Sequence, residues 1–150
     1  MTSRPPSPRG RLDVRRADGS ERELCLDVRR SVFVAEQGVP EELEVDGLDP
    51  GCAHFLAHLD GAAVGTARLR VLGGKAKIER VAVLADRRDA GIGRALMDAV
   101  EAHARGAGFA TAVLNAQTRV AEFYERLGYR REGEVFLEAN IPHVRMTKPL

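Results

Sequence analysis

A short loop with two glycines is the feature of the sequence best suited to bind a ligand. Gly91 and Gly93 precede a stretch with helical periodicity, and Arg87, Arg88 and Arg94 lie beside them. The first turn of a helix leaves backbone N–H groups unpaired and carries a partial positive charge. Glycines remove the Cβ atoms that would keep an anion away, and the arginines add full charges. The loop is therefore a candidate seat for a pyrophosphate, although a plain strand-to-helix turn has the same pattern.

Two common phosphate-binding loops do not fit this stretch. The dinucleotide-binding fingerprint requires a small residue where Leu96 stands, and no acidic residue ends the next predicted strand, 111–114. A P-loop requires Lys and then Ser or Thr after its last glycine, whereas Gly93 is followed by Arg94 and Ala95. If the loop binds phosphate, it belongs to neither class.

Composition predicts one ordinary globular domain, 11–150, preceded by a flexible Pro/Ser/Arg-rich tail, 1–10. A net charge of +1 in 150 residues gives no reason to expect nucleic acid or a membrane surface as partner. Cys25 and Cys52 are too few for a disulfide framework, and neither has a metal-type spacing with a histidine. We therefore expect no metal and a reducing, cytoplasmic location. No stretch reads as a signal peptide or a membrane span.

The periodicity of the chain predicts an α+β fold with a mixed sheet. A strand at 11–17 precedes a helix that Ser20 would cap, with Glu23 at the capping-box spacing, and that runs to about Gln37. The acidic segment 41–50 is expected to be a solvated loop; if it faced a site, it would attract a cationic amine. The other predicted elements are an antiparallel meander of strands at 54–59, 63–71 and 77–84, a helix at 91–105, a strand at 111–114, a helix at 120–127, and strands at 134–138 and 143–148.

Five short segments occur in an order that is typical of one known superfamily. In chain order they are Val32-Phe33-x-x-Glu36-Gln37, Glu44-x-Asp46-x-x-Asp49, Val81-Ala82-Val83…Arg88-x-x-Gly91-x-Gly93…Leu96, Phe123-Tyr124-x-x-Leu127-Gly128-Tyr129 and Phe136-x-Glu138-x-x-Ile141-Pro142-His143. Over about residues 11–150 they resemble the GNAT superfamily of N-acetyltransferases, especially its small bacterial ElaA-like branch. The third segment is similar to the acetyl-CoA motif of that superfamily, Arg/Gln-x-x-Gly-x-Gly/Ala. The resemblance implies a mixed central sheet of about seven strands with helices on both faces.

The resemblance also implies that acetyl-CoA is the co-substrate. Backbone amides of residues 89–94 would hold its pyrophosphate, and the strand edge around Val81 would pair with its pantetheine arm. A splay between this strand and the 111–114 strand would admit the thioester. Asn115 could bind a water or the pantetheine there, or simply cap the end of its strand. The implied cofactor-binding residues are Val81, Ala82, Val83, Arg88, Asp89, Ala90, Gly91, Ile92, Gly93, Arg94 and Asn115.

Acetyl transfer to an amine requires a neutral amine, a stabilised oxyanion and a protonated leaving thiolate. An alkylammonium with a pKa of about 10.4 is neutral only about once in a few thousand molecules at pH 7, so a base accelerates the reaction. Strand N–H groups around 81–83 could stabilise the oxyanion. By resemblance, Tyr124 is the predicted acid at the sulfur; alternatively, it packs in the core beside Phe123.

Two residues compete for the role of base. Glu79 lies on the motif strand, but Lys77 stands where the histone-modifying branch of the superfamily has its catalytic glutamate, and Glu79 could instead pair with Arg68 or Arg80. His143 is the rival, because histidines titrate near neutral pH, although a single histidine is often structural.

These patterns predict acetyl-CoA-dependent transfer of an acetyl group, by direct attack, to a primary amine of a small molecule or peptide. The alternative is a non-catalytic acetyl-CoA-binding sensor or interaction module on the same fold. The sequence identifies neither the acceptor nor the oligomeric state, although the last strands could support a homodimer.

Overall fold

Seven strands form one sheet in the order β1-β2-β3-β4-β5-β7-β6. A computed structural model describes residues 10–150, so the predicted tail lies outside the described residues except for its last position. Neighbouring strands are antiparallel except β4 and β5, which run parallel. The predicted α+β fold with a mixed sheet and a meander is thereby confirmed. The strands are β1 (Leu12–Arg16), β2 (Ala53–Leu59), β3 (Ala62–Leu72), β4 (Lys75–Val83), β5 (Thr111–Gln117), β6 (Arg130–Glu138) and β7 (Ile141–Pro149).

Helices cover both faces of this sheet. Along β3, Ala67 and Leu69 belong to the core that α3 covers, whereas Arg68 between them points to the face on which α1 lies. Within residues 10–150, no helix is both long enough and apolar enough to span a membrane. The helices are α1 (Arg22–Arg29), a π-helix (Arg30–Glu36), α2 (Glu41–Glu44), α3 (Ile92–Gly106) and α4 (Ala121–Arg126).

The helix that follows the glycine loop is held by a continuous apolar stripe. Ile92, Leu96, Met97, Val100 and Ala104 recur at helical spacing on α3, and each is at most 1% exposed. Burying a large apolar side chain contributes about 1.5–3 kcal/mol, so the stripe anchors α3 firmly against the sheet. The start of α3 is thereby fixed relative to β4.

The first helix differs from its prediction at both ends. Asp18, not Ser20, supplies the cap, and it caps a 3-10 turn, Gly19–Glu21, that leads directly into α1. Its carboxylate accepts from the amides of Ser20 and Glu21, and Glu21 completes the capping box. Both Asp18 and Ser20 have a glutamate three residues later, so the sequence pattern alone allowed either choice. Beyond Arg29 the chain continues as a π-helix rather than as the predicted single α-helix.

The end of β5 and the start of β6 also extend beyond the predicted strands. Asn115 pairs with Arg145 of β7, and β5 continues to Gln117. β6 begins at Arg130, about four residues before its predicted start. Cross-strand hydrogen bonds recruit these polar positions, which do not look like strand residues when taken alone.

A bulge in β4 opens the sheet. Thr66 of β3 lies opposite Ala82, but Arg68 lies opposite Glu79, so two residues of β4 face the single Ala67. One of these two, Arg80, has a φ of +57°, an uncommon conformation for a residue with a side chain. β4 pairs with β5 only at its beginning, through residues 76 and 77. The predicted splay between the two strands is therefore confirmed.

Candidate active site

A cleft of about 820 Å³ lies where β4 and β5 separate. One wall is β4 from Lys77 to Val83, and the other is formed by residues 114–117 of β5 and by His143 of β7. The start of α3 lines the same cleft. All the predicted site residues line it except Ala90. The splayed strands thus bring most of the predicted site together in one cavity.

The start of α3 has the properties of an anion seat. Its N-cap, Gly91, has a φ of +80°, and no side chain caps the helix. The bond from the Ala95 amide to the Gly91 carbonyl is the first of the helix, so the amides of residues 92–94 lack an intrahelical acceptor. These amides and the helix dipole together favour an anion at this end of the cleft.

The two glycines of the loop have different structural roles. A Cβ on Gly91 would meet nothing within 4 Å, but the positive φ there favours glycine. A Cβ on Gly93 would lie 3.3 Å from Cζ of Phe123 and 4.0 Å from Cγ2 of Val83. The reason predicted for a glycine at position 93, space for a phosphate, is therefore wrong. A Cβ there would point at the Phe123 ring, so glycine is needed for packing against that ring.

Arg88 does not present a free charge to the cleft. Its Nη1 and Nη2 bind both carboxylate oxygens of Glu36 at 2.6 and 2.8 Å, and its Nε donates to the Val83 carbonyl at 3.0 Å. The pair holds the pKa of Glu36 below its usual range and that of Arg88 above it. The guanidinium thus fastens the loop to the π-helix.

A second contact joins the end of the π-helix to β5. Gln117 donates from its side-chain nitrogen to Oε1 of Gln37 at 2.9 Å. Glu36 and Gln37 therefore connect the segment after β4 to the end of β5, across the open side of the splay. We call the pairs Glu36–Arg88 and Gln37–Gln117 the 36–37 brace. It positions both walls of the cleft relative to each other.

Tyr124 lies on α4 and lines the cleft while its ring packs in the core. Its ring makes edge contacts with Phe123 at 4.9 Å and Tyr129 at 5.9 Å between centroids. Burial raises the pKa of Tyr124 above its ordinary value, so the phenol stays protonated at neutral pH. No described residue forms a hydrogen bond with its hydroxyl. The hydroxyl is therefore a proton donor available to a ligand in the cleft.

His143 has one ring nitrogen hydrogen-bonded to the backbone and the other beside a carboxylate. Its Nδ1 lies 2.6 Å from the Ile141 carbonyl, which can only accept, so Nδ1 carries the hydrogen and Nε2 of the neutral ring carries the lone pair. Nε2 lies 3.8 Å from Oε2 of Glu138, and Oε1 of Glu138 accepts from Asn115 at 3.2 Å. Phe136 stacks on the imidazole with centroids 6.1 Å apart. The ring is thus oriented as a base beside a carboxylate.

Glu79 is held by three cations. Arg68 approaches its carboxylate at 2.7 Å, Arg70 at 2.9 Å and Lys77 at 3.3 Å. Burial alone would raise the pKa of Glu79, but these contacts outweigh it and hold the pKa at about 2. Of the two interpretations of Glu79, the structure therefore shows ion pairing with Arg68. Arg80 does not pair with Glu79 but with Glu44 and Asp46.

The prediction that the acidic segment 41–50 is a solvated loop is wrong for two of its carboxylates, although most of its residues are exposed. Glu44 and Asp49 are 3% and 7% exposed. Asp49 accepts from both Arg29 and Arg68 at 2.9 Å, and Glu44 accepts from Arg29 at 2.8 Å. A buried carboxylate requires such partners, and they lie far away in the sequence. Together these groups form an ionic network of Arg29, Arg68, Arg70, Lys77 and Arg80 with Glu44, Asp46, Asp49 and Glu79.

The sequence patterns did not assign a role to several residues that the structure places at the site. Glu138, Glu36 and Gln37 belong to the quoted segments, yet nothing in their spacing identifies His143, Arg88 and Gln117 as their partners. Arg119 and Arg126 also line the cleft and add positive charge to it. Arg126 lies on α4 and Arg119 just before it. Their closeness in sequence to Tyr124 was the signal that could have indicated a place at the site.

The sequence matches a family model described as an acetyltransferase (GNAT) domain over residues 16–150. It is 43% identical over 122 residues to the uncharacterized N-acetyltransferase YjcF of Bacillus subtilis (strain 168), covering 81% of this chain and 87% of that protein. The structure is similar to an acyl-CoA N-acyltransferase from Pseudomonas aeruginosa, with a TM-score of 0.80, 31% identity, and 92% and 98% of the two chains covered. Escherichia coli ElaA is similar with a TM-score of 0.78, 26% identity and the same coverage. Because the family model matches most of its length, the chain belongs to the GNAT acetyltransferase family.

Proposed function

We propose that this protein transfers the acetyl group of acetyl-CoA to a primary amine. The observation that carries the proposal is one continuous cleft that joins the uncapped start of α3 to Tyr124 and His143. Beyond Lys77, β4 has no pairing with β5 within the described residues, so its edge is open to an extended ligand. A pyrophosphate at the helix start would direct the pantetheine arm along this edge toward the two proton-transferring groups.

The proposed reaction assigns one proton transfer to each of these two residues. The amine nitrogen attacks the thioester carbonyl, a C–N bond forms, and the C–S bond then breaks. Nε2 of His143 takes a proton from the nitrogen, and Glu138 stabilises the resulting imidazolium. The Tyr124 hydroxyl gives its proton to the departing thiolate. Backbone N–H groups of β4 would stabilise the oxyanion.

Glu79 has a structural role in this proposal rather than the role of base. A carboxylate with a pKa of about 2 is a poor proton acceptor at neutral pH. Its contacts with Arg68 and Arg70 connect β4 to β3 next to the bulge. We assign it to holding the shape of the cleft wall.

The proposal is tested by release of CoA from acetyl-CoA with a panel of amines, amino acids, polyamines and short peptides. We expect at least one amine to raise CoA release well above hydrolysis and to yield its N-acetyl product. Tyr124→Phe keeps the ring but removes the proton, so we expect kcat for that amine to fall by about 10²-fold. The KM for acetyl-CoA should change little.

Two results would count against the proposal in different ways. If Tyr124→Phe retains full kcat, the residue is not the acid. If acetyl-CoA binds by calorimetry but no amine raises CoA release above hydrolysis, the protein is a non-catalytic acetyl-CoA-binding module.

A further inference from the structure

Uncompensated positive charge lies on the wall of the cleft that β3 and β4 form. The ionic network contains five cationic side chains and four carboxylates. Arg29 and Arg68 are 1% exposed, whereas the side chains of Arg70 and Lys77 are 24% and 16% exposed and line the cleft. Arg80, which is 19% exposed, lines the same cleft. The cationic groups of the network that a ligand can reach are therefore Arg70, Lys77 and Arg80.

The carboxylates around this wall are already engaged. Glu44 is paired with Arg29 and Arg80, and Glu79 is shared by three cations. Across the cleft, Glu138 accepts from Asn115 and lies beside His143. None of these groups neutralises the excess, and the two carboxylates of the network that line the cleft, Glu44 and Glu79, are not free to attract a cationic amine.

Arg70 and Lys77 also have donors to spare. Lys77 has one contact, at 3.3 Å, for an ammonium that can donate three hydrogen bonds. Arg70 binds Glu79 through Nε and Nη2, and its Nη1 has no acceptor among the described residues. A second carboxylate would satisfy these donors and balance the charge.

Strand register places this pair and His143 at opposite ends of the acceptor region. Arg70 lies opposite Lys77, and Lys77 pairs with Val113 of β5. His143 lies opposite Gln117, four residues further along β5 and one strand beyond it. Four residues span roughly 13 Å and two strand spacings roughly 10 Å. The long Arg70 and Lys77 side chains cover part of that span, and a ligand with several bonds between its two ends covers the rest.

We infer that the acetyl acceptor is an ω-aminocarboxylate, whose carboxylate binds Arg70 and Lys77 while its amine lies beside His143. The inference rests on the proposed function, because the amine end is defined by that reaction. An α-amino acid is too short to touch both ends, and a diamine places a positive charge against Arg70 and Lys77.

Three acceptors of equal chain length test the inference: 5-aminopentanoate, pentylamine and 1,5-diaminopentane. We expect kcat/KM for 5-aminopentanoate to exceed that for pentylamine by at least about tenfold, with the diamine lowest. Lys77→Met preserves the length of the side chain without its charge and should reduce the preference for 5-aminopentanoate over pentylamine several-fold. Lys75→Met, at an exposed position of the same strand, should leave that preference unchanged.

A binding measurement separates this inference from the proposed function. Calorimetric titration of the wild-type protein and CoA with 5-aminopentanoate and with pentylamine reports recognition of the carboxylate without turnover. Preferential binding without acetylation supports the carboxylate site and overturns the proposed function. Acetylation of all three amines at equal kcat/KM overturns the carboxylate site and leaves the proposed function standing. If the amines are neither bound nor acetylated, both the carboxylate site and the proposed function are overturned.

Discussion

Tyr124 and His143 illustrate what a residue type can and cannot reveal. A phenol and an imidazole are chemically able to transfer protons, so both were identifiable as candidates from the sequence. The sequence could not show which atom of each is available. The Ile141 carbonyl occupies Nδ1 of His143 and leaves Nε2 as the basic atom, while burial keeps the Tyr124 phenol protonated. Glu79 is the opposite case: its carboxylate was identifiable as a candidate base, but three cations lower its pKa and make it a weak proton acceptor.

His143→Ala tests the proposed base. We expect kcat with the best amine to fall by about 10²-fold or more, since the proton acceptor is lost, while binding of acetyl-CoA persists. Imidazole added to the buffer should restore part of the activity, because the deleted ring leaves space beside the cleft. Tyr124→Phe is the matched control in the same cleft, and imidazole should not rescue it. Undiminished kcat in His143→Ala, or equal stimulation of both variants, would contradict the role of His143.

At the scale of elements, the order of strands and helices was predictable, whereas their connections around the cleft were not. The meander, α3 and the final two strands follow from periodicity and from turn residues such as Gly73 and Gly74. The π-helix and the bulge at Arg80 have no comparable local pattern. Both depend on contacts from elsewhere: the 36–37 brace fixes the end of the π-helix, and Glu44 and Asp46 hold the Arg80 side chain.

The brace makes a testable prediction about Arg88. If its guanidinium supports the loop through Glu36, Glu36→Ala and Arg88→Ala should each weaken acetyl-CoA binding by a similar factor. We expect about 1.4–5-fold, which corresponds to the roughly 0.2–1 kcal/mol typical of a partly exposed ion pair. The double variant should bind no more weakly than either single variant, as measured by calorimetry.

The opposite pattern would show that Arg88 binds phosphate directly. In that case Glu36→Ala would strengthen acetyl-CoA binding by freeing the guanidinium. Arg88→Ala would then lose much more affinity than Glu36→Ala.

At the scale of the whole molecule, the ionic network connects α1, the 41–50 segment, β3 and β4. Its charges are largely buried, so each carboxylate depends on its partners. Hydrogen bonds from Arg68 hold the pKa of Asp46 below its ordinary value. Burial would raise the pKa of Asp49, but Arg68 and Arg29 outweigh it and lower that pKa as well. For Glu44, burial is the larger effect, and its pKa is raised.

The network predicts loss of stability in acid. The folded-state pKa of Glu79 is lowered from an ordinary value of 4.5 to about 2. Its ionised form therefore stabilises the fold fully above pH 4.5, and this contribution is lost as the pH falls toward 2, because the unfolded chain takes up the proton first. The shift corresponds to roughly 3 kcal/mol. The lowered pKa values of Asp46 and Asp49 also make the fold less stable in acid, whereas the raised pKa of Glu44 has the opposite effect.

Urea unfolding of the wild type and of Glu79→Gln at several pH values measures this contribution. The free energy of unfolding of the variant should be lower at pH 7 and should change less between pH 4.5 and 2.5. Parallel pH profiles for the two proteins would show that Glu79 does not contribute in this way.

The sequence by itself determined the features that depend on neighbouring residues. The apolar stripe of α3, the glycine before it and the alternation of the meander all act within a few positions, so the fold class and the start of α3 after a glycine could be predicted. Only the tertiary structure decided how the charged groups pair. Glu36 engages Arg88, and Asp49 engages Arg29 and Arg68, because ion pairing depends on separation in space and not on separation along the chain. The same pairing buries Glu44 and Asp49 within the 41–50 segment, which was expected to be solvated throughout.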